Sequence, residues 1–295
     1  MYTVNNDELG IRNEELILQD SSFFPKTVLT IAGHDPTSGA GITSDLKTFQ
    51  HFGVYGLSVV TALTVQNTLA VFSANPVDAA IVDAQLDVLA SDIHIDAIKI
   101  GMLASEEIIS CVARFISKRS ILTVLDPIIA SSNGVRLLSD NAITVLKRDL
   151  LPLVKIITPN IPEAALLTGK LLDSDEMIME AALMLHGMGA KNVLIKGGHS
   201  EDSMSSSDLF FDGTDFEWIS AARIAKQVHG TGCLLSSAIA SLFANGFSVR
   251  ESVIRAKKFV TEMLENAMAL GRGQELFQHE NFLSHDADFA SLLVN

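Results

Sequence analysis

Residues 229–246 read HGTGCLLSSAIASLFANG. Gly230 and Gly232 flank Thr231 directly ahead of a long apolar segment, so the backbone can fold into a nest whose N–H groups meet the positive end of a helix dipole. Such a nest holds a phosphate or another anion, although G-T-G before a helix can equally be a tight turn. Cys233 falls in the first turn of the same helix, where the dipole favours a thiolate and lowers its pKa below the ordinary value of about 8.5. A reactive thiol is therefore expected there, beside the plainer reading of a small buried hydrophobe.

A second glycine-rich stretch, LTIAGHDPTSGAGITSDLKTFQ at residues 29–50, joins a β-branched run to an amphipathic pattern. Its glycines fit neither G-x-x-x-x-G-K-[ST] nor G-x-G-x-x-G, because Ser44 stands where the last glycine of a dinucleotide fingerprint belongs. Further polar groups end apolar runs. Asp126 lies in VLDPI, Asn160 and Glu163 lie three apart in TPNIPEA, and Lys196 precedes Gly197 and Gly198 in LIKGGH. Carboxylates and amides at successive strand ends can organise Mg²⁺ around a polyphosphate, since Mg²⁺ binds through one or two carboxylates plus the substrate. Each is alone also a common turn, cap or surface residue. Gly197 and Gly198 would let a ligand approach the backbone.

These groups need a scaffold, and the chain supplies one in alternation. The runs TVLTIAG, DAIKIGM, ILTVLDP, VKIITPN and NVLIKGG are each followed by a segment of helical period. This predicts an α/β fold with a central, mostly parallel sheet flanked by helices, and ligands at the carboxyl ends of the strands. Ile42, Leu46 and Phe49 form the inward stripe of the first helix. HSEDSMSSSD reads as an exposed loop before a hairpin turned at Asp212 and Gly213. Two helices are expected at the end, Thr231 to about Asn245 and Ser248 to about Leu270, parted at Gly246.

With 295 residues, 48% of them apolar, the chain can bury one large core. Residues 27–295 read as a single domain, and residues 1–26 as an acidic, loosely ordered extension without the basic and apolar regions of a signal peptide. A net charge of -14 disfavours nucleic acid and anionic membranes as partners, so any phosphate must be held locally. No apolar run approaches the roughly 20 residues of a membrane span. Cys111 and Cys233, far apart and in no metal-binding spacing, fit a reduced cytoplasmic setting.

The blocks AGHDPTSGAGITSDLKTFQHFGVYGLSVVTALTVQNT, KIGML, DP, TPNIPEA, KGGH and HGTGC, in this order, resemble the hydroxymethylpyrimidine/phosphomethylpyrimidine kinases of thiamine biosynthesis, a branch of the ribokinase superfamily. The resemblance runs from about Thr27 to about Leu270. It implies a ribokinase-like single domain, a pyrimidine alcohol and ATP as small-molecule substrates, Mg²⁺, and a homodimer. Matched position by position, it implies that Gly33, Asp35, Ala40 and Asp45 line the substrate pocket, that Gln66 faces the polar edge of the pyrimidine and that Met102 packs on the ring. It puts Asn160, Lys196 and Gly198 on the ATP side, with Asp126 and Glu163 on the metal side. HGTGC becomes the anion hole, with Gly230, Thr231 and Gly232 cradling the transferred phosphate. Cys233 stands where most sugar kinases of the superfamily carry an aspartate base.

Some positions depart from the branch: Thr43 for a frequent glutamine, Ile129 for a methionine, His34 for a small hydroxyl residue, and Gln227-Val228 where a threonine is common. They bear on substrate detail more than on fold. A pyridoxal or pyridoxine kinase is the near alternative, and a non-catalytic pyrimidine-binding protein of the same fold the distant one.

Overall fold

The structure is a computed structural model that describes residues 25–131, 134–197 and 205–279. Most of the expected N-terminal extension, Gly198 and most of the polar loop after it lie outside the described residues.

Along the chain run β1 (Thr27–His34), α1 (Gly41–His51), β2 (Tyr55–Gln66), β3 (Val71–Pro76), α2 (Ala79–Asp92), β4 (Ala97–Ile100), α3 (Glu106–Ser117) and β5 (Leu122–Leu125). There follow α4 (Asp140–Val145), β6 (Ile156–Ile157), α5 (Ile161–Thr168), α6 (Asp175–Gly187) and β7 (Val193–Ile195). The last elements are β8 (Ser205–Phe211), β9 (Phe216–Ala222), α7 (Thr231–Ala244) and α8 (Val249–Glu265). The strands form one sheet in the order β3-β2-β1-β4-β5-β6-β7-β8-β9. From β2 to β7 neighbours are parallel, and antiparallel strands close both edges.

The five β-branched runs are β1, β4, β5, β6 and β7. Each is buried on both faces, which is why it reads as a continuous apolar run. Successive residues alternate between layers: Leu29, Ile31, Ile98 and Leu125 pack with α2 to α6, whereas Val28, Ala97 and Val124 pack with α1, α7 and α8. The hairpin turns where expected, with the Asp212 carboxylate accepting from the N–H groups of Thr214 and Asp215 at 2.8 Å. Helix α7 ends one residue before the expected Asn245. Helix α8 stops at Glu265, short of Leu270. Beyond it the chain reverses, and Leu276 bonds back to Met268. The resulting strap is pinned to the β2–β3 hairpin, where Gln274 N donates to Thr68 O at 2.8 Å.

Helix α7 is buried on every side, with Cys233 to Ala244 all buried and mostly apolar. It would slide freely if only nonpolar surface held it, because hydrophobic burial has no direction. A buried ion pair supplies direction. Lys99 Nζ on β4 donates to both oxygens of Asp45 on α1, at 2.9 and 2.8 Å, and both side chains are fully buried. Asp45 also accepts from Thr30 Oγ1 on β1 at 2.5 Å and from Ser237 Oγ on α7 at 2.7 Å. Burial alone would discharge the lysine. The facing Asp45, with Cys233 and Asp126 nearby, instead raises its pKa above the ordinary value.

Removing one partner of such a pair strands the other in the core. Lys99→Met should therefore lower unfolding stability by about 3–5 kcal/mol in urea titration. The double variant Lys99→Met with Asp45→Leu should recover most of that loss. Equal losses for the single and double variants would show that the pair does not hold the junction.

Candidate active site

A cavity of about 1030 Å³ opens at the carboxyl ends of the parallel strands, with the N-terminus of α7 as its floor. Gly230 caps α7 at φ +84°, and a Cβ there would lie 1.9 Å from the carbonyl oxygen of Gly39. Only glycine permits both the left-handed turn and this backbone contact. A Cβ on Gly232 would lie 3.0 Å from Lys196 Nζ and 3.2 Å from Asp126 Oδ2. The Lys196–Asp126 pair therefore closes on Gly232 at the start of α7, where even a methyl would crowd both side chains. Gly230, Thr231, Gly232 and Cys233 all line the cavity, so the N-terminus of α7 opens onto it, where a helix dipole favours an anion.

The far wall carries charge. Lys196 Nζ meets Asp126 Oδ1 at 2.8 Å, with side chains 17% and 2% exposed. Burial works against the lysine's charge, but Asp126 and Glu163 more than offset it, and its pKa is raised. Asn160 caps α5 in a reciprocal box with Glu163: Glu163 N donates to Asn160 Oδ1 and Asn160 N to Glu163 Oε2, each at 2.8 Å. The cap reading and the site reading both hold for these two, since both line the cavity. Burial pushes the Glu163 carboxyl up to about 7 against the pull of Lys196, with Asp126 pushing further. Among the described residues no group of three or more His, Cys, Asp or Glu could by itself hold a metal ion. Two carboxylates beside a cavity that also receives a helix N-terminus nevertheless suit Mg²⁺, which takes its remaining ligands from water and phosphate.

The near wall is built on Asp35, 2% exposed. Its carboxylate accepts from Thr37 N and Thr37 Oγ1 at 2.8 Å, Ala40 N at 2.9 Å and His229 Nε2 at 3.1 Å. Burial alone would raise its pKa. His229, Thr37 and Gln66 outweigh burial and bring it to about 2. His229 is held in turn by the strap, donating its backbone N–H to Glu275 O at 2.9 Å. Gly33, Ala40, Gln66 and Met102 complete this wall. The Met102 methyl lies 2.8 Å from where a Gly33 Cβ would stand, so the thioether rests on the bare backbone of the β1 end.

Three expectations need correction. Asp45 does not line the cavity: it is spent on Lys99, Thr30 and Ser237 in the layer below. The missing side chain of Gly197 admits Ser207 O of β8, 2.0 Å from a would-be Cβ, and not a ligand. Gly198 lies outside the described residues. Cys233 is 5% exposed, and burial pushes its thiol up to about 11. Lys99 and the N–H of Gly41 pull the other way, yet burial together with Asp45 and Asp126 prevails over the helix dipole.

The residues that sequence reasoning missed are Lys99, His229 and the Asp208–Lys257 pair. Asp208 accepts from Gly197 N at 3.0 Å while Lys257 holds its other oxygen at 2.8 Å, which steadies the turn after Lys196. Lys99 sits inside KIGML and His229 heads HGTGC, so the signal was present without its partner.

Cys111 is also buried and pushed up to about 11. In native protein near neutral pH, iodoacetamide should modify both cysteines at least about 10²-fold more slowly than a free thiol, because so little thiolate is present. Peptide mass mapping over time measures this. Modification of Cys233 at the free-thiol rate would restore the activated thiolate.

The sequence signature described as phosphomethylpyrimidine kinase matches residues 35–278. The hydroxymethylpyrimidine/phosphomethylpyrimidine kinase of Haemophilus influenzae is 44% identical over 86% of this chain and 96% of its own length. The thiamine biosynthesis bifunctional protein ThiED of Geobacter sulfurreducens is 45% identical over 87% of this chain, which spans 53% of that longer protein. Among solved structures, the pyridoxal kinase from Staphylococcus aureus in complex with AMP-PCP and pyridoxal superposes with a TM-score of 0.79 at 34% identity, covering 87% of this chain and 94% of its own. A match of this extent, on a sheet of the same plan, makes the chain a member of the phosphomethylpyrimidine kinase family, with a ribokinase-like fold.

Proposed function

We propose that the protein transfers the γ-phosphoryl group of ATP to 4-amino-5-hydroxymethyl-2-methylpyrimidine and to its monophosphate, for thiamine biosynthesis. The observation that carries this reading is one cavity with two chemically different walls and a glycine nest between them. Gln66 and Met102 suit a flat polar ring, and Lys196, Asp126 and Glu163 suit a polyphosphate.

In this reading the pyrimidine lies against Met102 with its hydroxymethyl group toward the nest. The N–H groups of Gly232 and Cys233 meet the equatorial oxygens of the phosphoryl group in flight, where charge accumulates. Lys196 neutralises the phosphate chain. Asp126 and Glu163 would hold Mg²⁺, which would supply positive charge to neutralise the phosphates. Cys233, protonated at rest, orients the substrate hydroxyl. A loose transition state defers proton loss until the new bond is well formed, when the proton can pass to an oxygen of the transferred phosphoryl group, so no strong base is required early.

Free cysteines and the lack, among the described residues, of a helix able to span a membrane accord with a cytoplasmic enzyme. A homodimer suits the outer face of the β2–β3 hairpin, where Leu63, Val65 and Phe72 are each more than half exposed. Pyridoxal phosphorylation is the second reading, favoured by the likeness to a pyridoxal kinase.

Incubation of purified protein with ATP and each alcohol, followed by product mass, decides between them. The pyrimidine should give the higher kcat/KM. A preference for pyridoxal would overturn the main reading, and binding without turnover would leave a non-catalytic protein. Gln66→Leu should raise KM for the pyrimidine about tenfold, the lower range for an unpaired buried polar edge, and leave KM for ATP unchanged. A parallel rise in both would make Gln66 structural.

A further inference from the structure

Lys196 stands on the charged wall of the cavity, and its backbone is tied on both sides. Its own N–H donates to Pro159 O at 2.8 Å, in the segment that leads into the Asn160–Glu163 box. The next N–H, that of Gly197, lies beyond the β7–β8 ladder, which ends at Ile195 and Leu209. A side chain takes over there, and Asp208 Oδ1 accepts from Gly197 N at 3.0 Å.

Asp208 can hold the turn only if its carboxylate is itself held. The residue is 3% exposed, and a carboxylate bonded through one oxygen still turns about its broad χ2. Lys257 on α8 fixes the other oxygen: its Nζ donates to Asp208 Oδ2 at 2.8 Å and to Ser206 Oγ at 3.1 Å. It also balances a charge that burial would otherwise make costly. Glycine is required at 197, because a Cβ would stand 2.0 Å from Ser207 O and the turn lies directly on β8. The series Lys257, Asp208, Gly197 therefore ends next to the residue whose ammonium reaches Asp126 at 2.8 Å.

We propose that Asp208, anchored by Lys257, is a positioning residue that fixes where the Lys196 ammonium stands against the phosphate chain of ATP. This rests on the kinase reading above. Helix α8 thereby acts on the phosphate wall at one remove. Lys257 and Asp208 both line the cavity, so direct contact of Lys257 with the nucleotide is the rival that a test must separate.

The test uses the full chain with ATP and 4-amino-5-hydroxymethyl-2-methylpyrimidine, and two double variants that strand no buried charge. Lys257→Met with Asp208→Ala removes the bond to Gly197. Its KM for ATP should rise at least about tenfold, within the cost of moving such a group by about 1 Å, while KM for the pyrimidine stays unchanged. Lys257→Met with Asp208→Asn keeps an oxygen that can accept from Gly197 N, and should recover most of that loss. Equal losses in the two would mean that the Lys257 charge serves the nucleotide directly, and would overturn the proposal. So would a rise in both KM values, the mark of a general disturbance, or a KM for ATP that neither variant moves. Wild-type protein that binds ATP but phosphorylates no alcohol would remove the kinase reading, and the proposal with it.

Should the variant with Asp208→Ala lose its native melting transition, amide exchange followed by NMR carries the comparison between wild type and the variant with Asp208→Asn. The Gly197 N–H should exchange slowly in both without ligand, and KM for ATP should stay close to wild type. A freely exchanging Gly197 N–H in the wild type, or a raised KM for ATP while that N–H remains protected, would refute positioning through Asp208.

Discussion

The pairing of Lys99 with Asp45 in the dry layer between sheet and helices is the contact on which the site's geometry depends. Its four groups come from β1, β4, α1 and α7. Those elements lead into, or begin at, the loop of Gly33 to Ala40, the Met102 corner and the nest of Gly230 to Cys233. Apolar packing brings the elements together. Hydrogen bonds to a buried carboxylate fix how far each is rotated, because a donor displaced by an ångström is no longer bonded. A charge pair inside a core is a costly way to gain stability. Here its value lies in direction.

The same motif recurs around the cavity. Among the described residues, Lys99, Lys196 and Lys257 are each largely buried against an aspartate, Asp45, Asp126 and Asp208 in turn. A chain of net charge -14 repels a polyphosphate at long range. Lys196 is the most open of the three and lies across from the start of α7. Lys99 acts from below, and Lys257 works through the turn that carries Lys196.

Much of this was legible in the residues. The five central strands announced themselves because both faces are buried and the apolar run is unbroken. Strands β2 and β3 escaped periodicity because Leu63, Val65 and Phe72 turn outward, and an exposed apolar side chain blurs the alternation on which strand assignment relies. The glycine-capped start of α7 was visible as G-T-G before a helix. Asp45 was misplaced because nothing local tells a carboxylate which side of its helix meets a lysine 54 residues away. The Cys233 thiol was misjudged because the dipole can be read from sequence, whereas desolvation is a property of the assembled core. The strap could not be foreseen at all: its contacts are mainly backbone bonds, which carry no residue signature.

That strap gives the fold an order in time. Glu275 holds Gln227 and His229, and through His229 the aspartate at the end of β1, so the earliest part of the sheet is completed by a segment made almost last. A ribosome that has delivered everything through α8 has released the strands and the start of α7, but not the brace behind Asp35. The nascent chain can bury its core while that wall of the cavity is still unfinished. The wall therefore matures after the fold, a delay set by chain order.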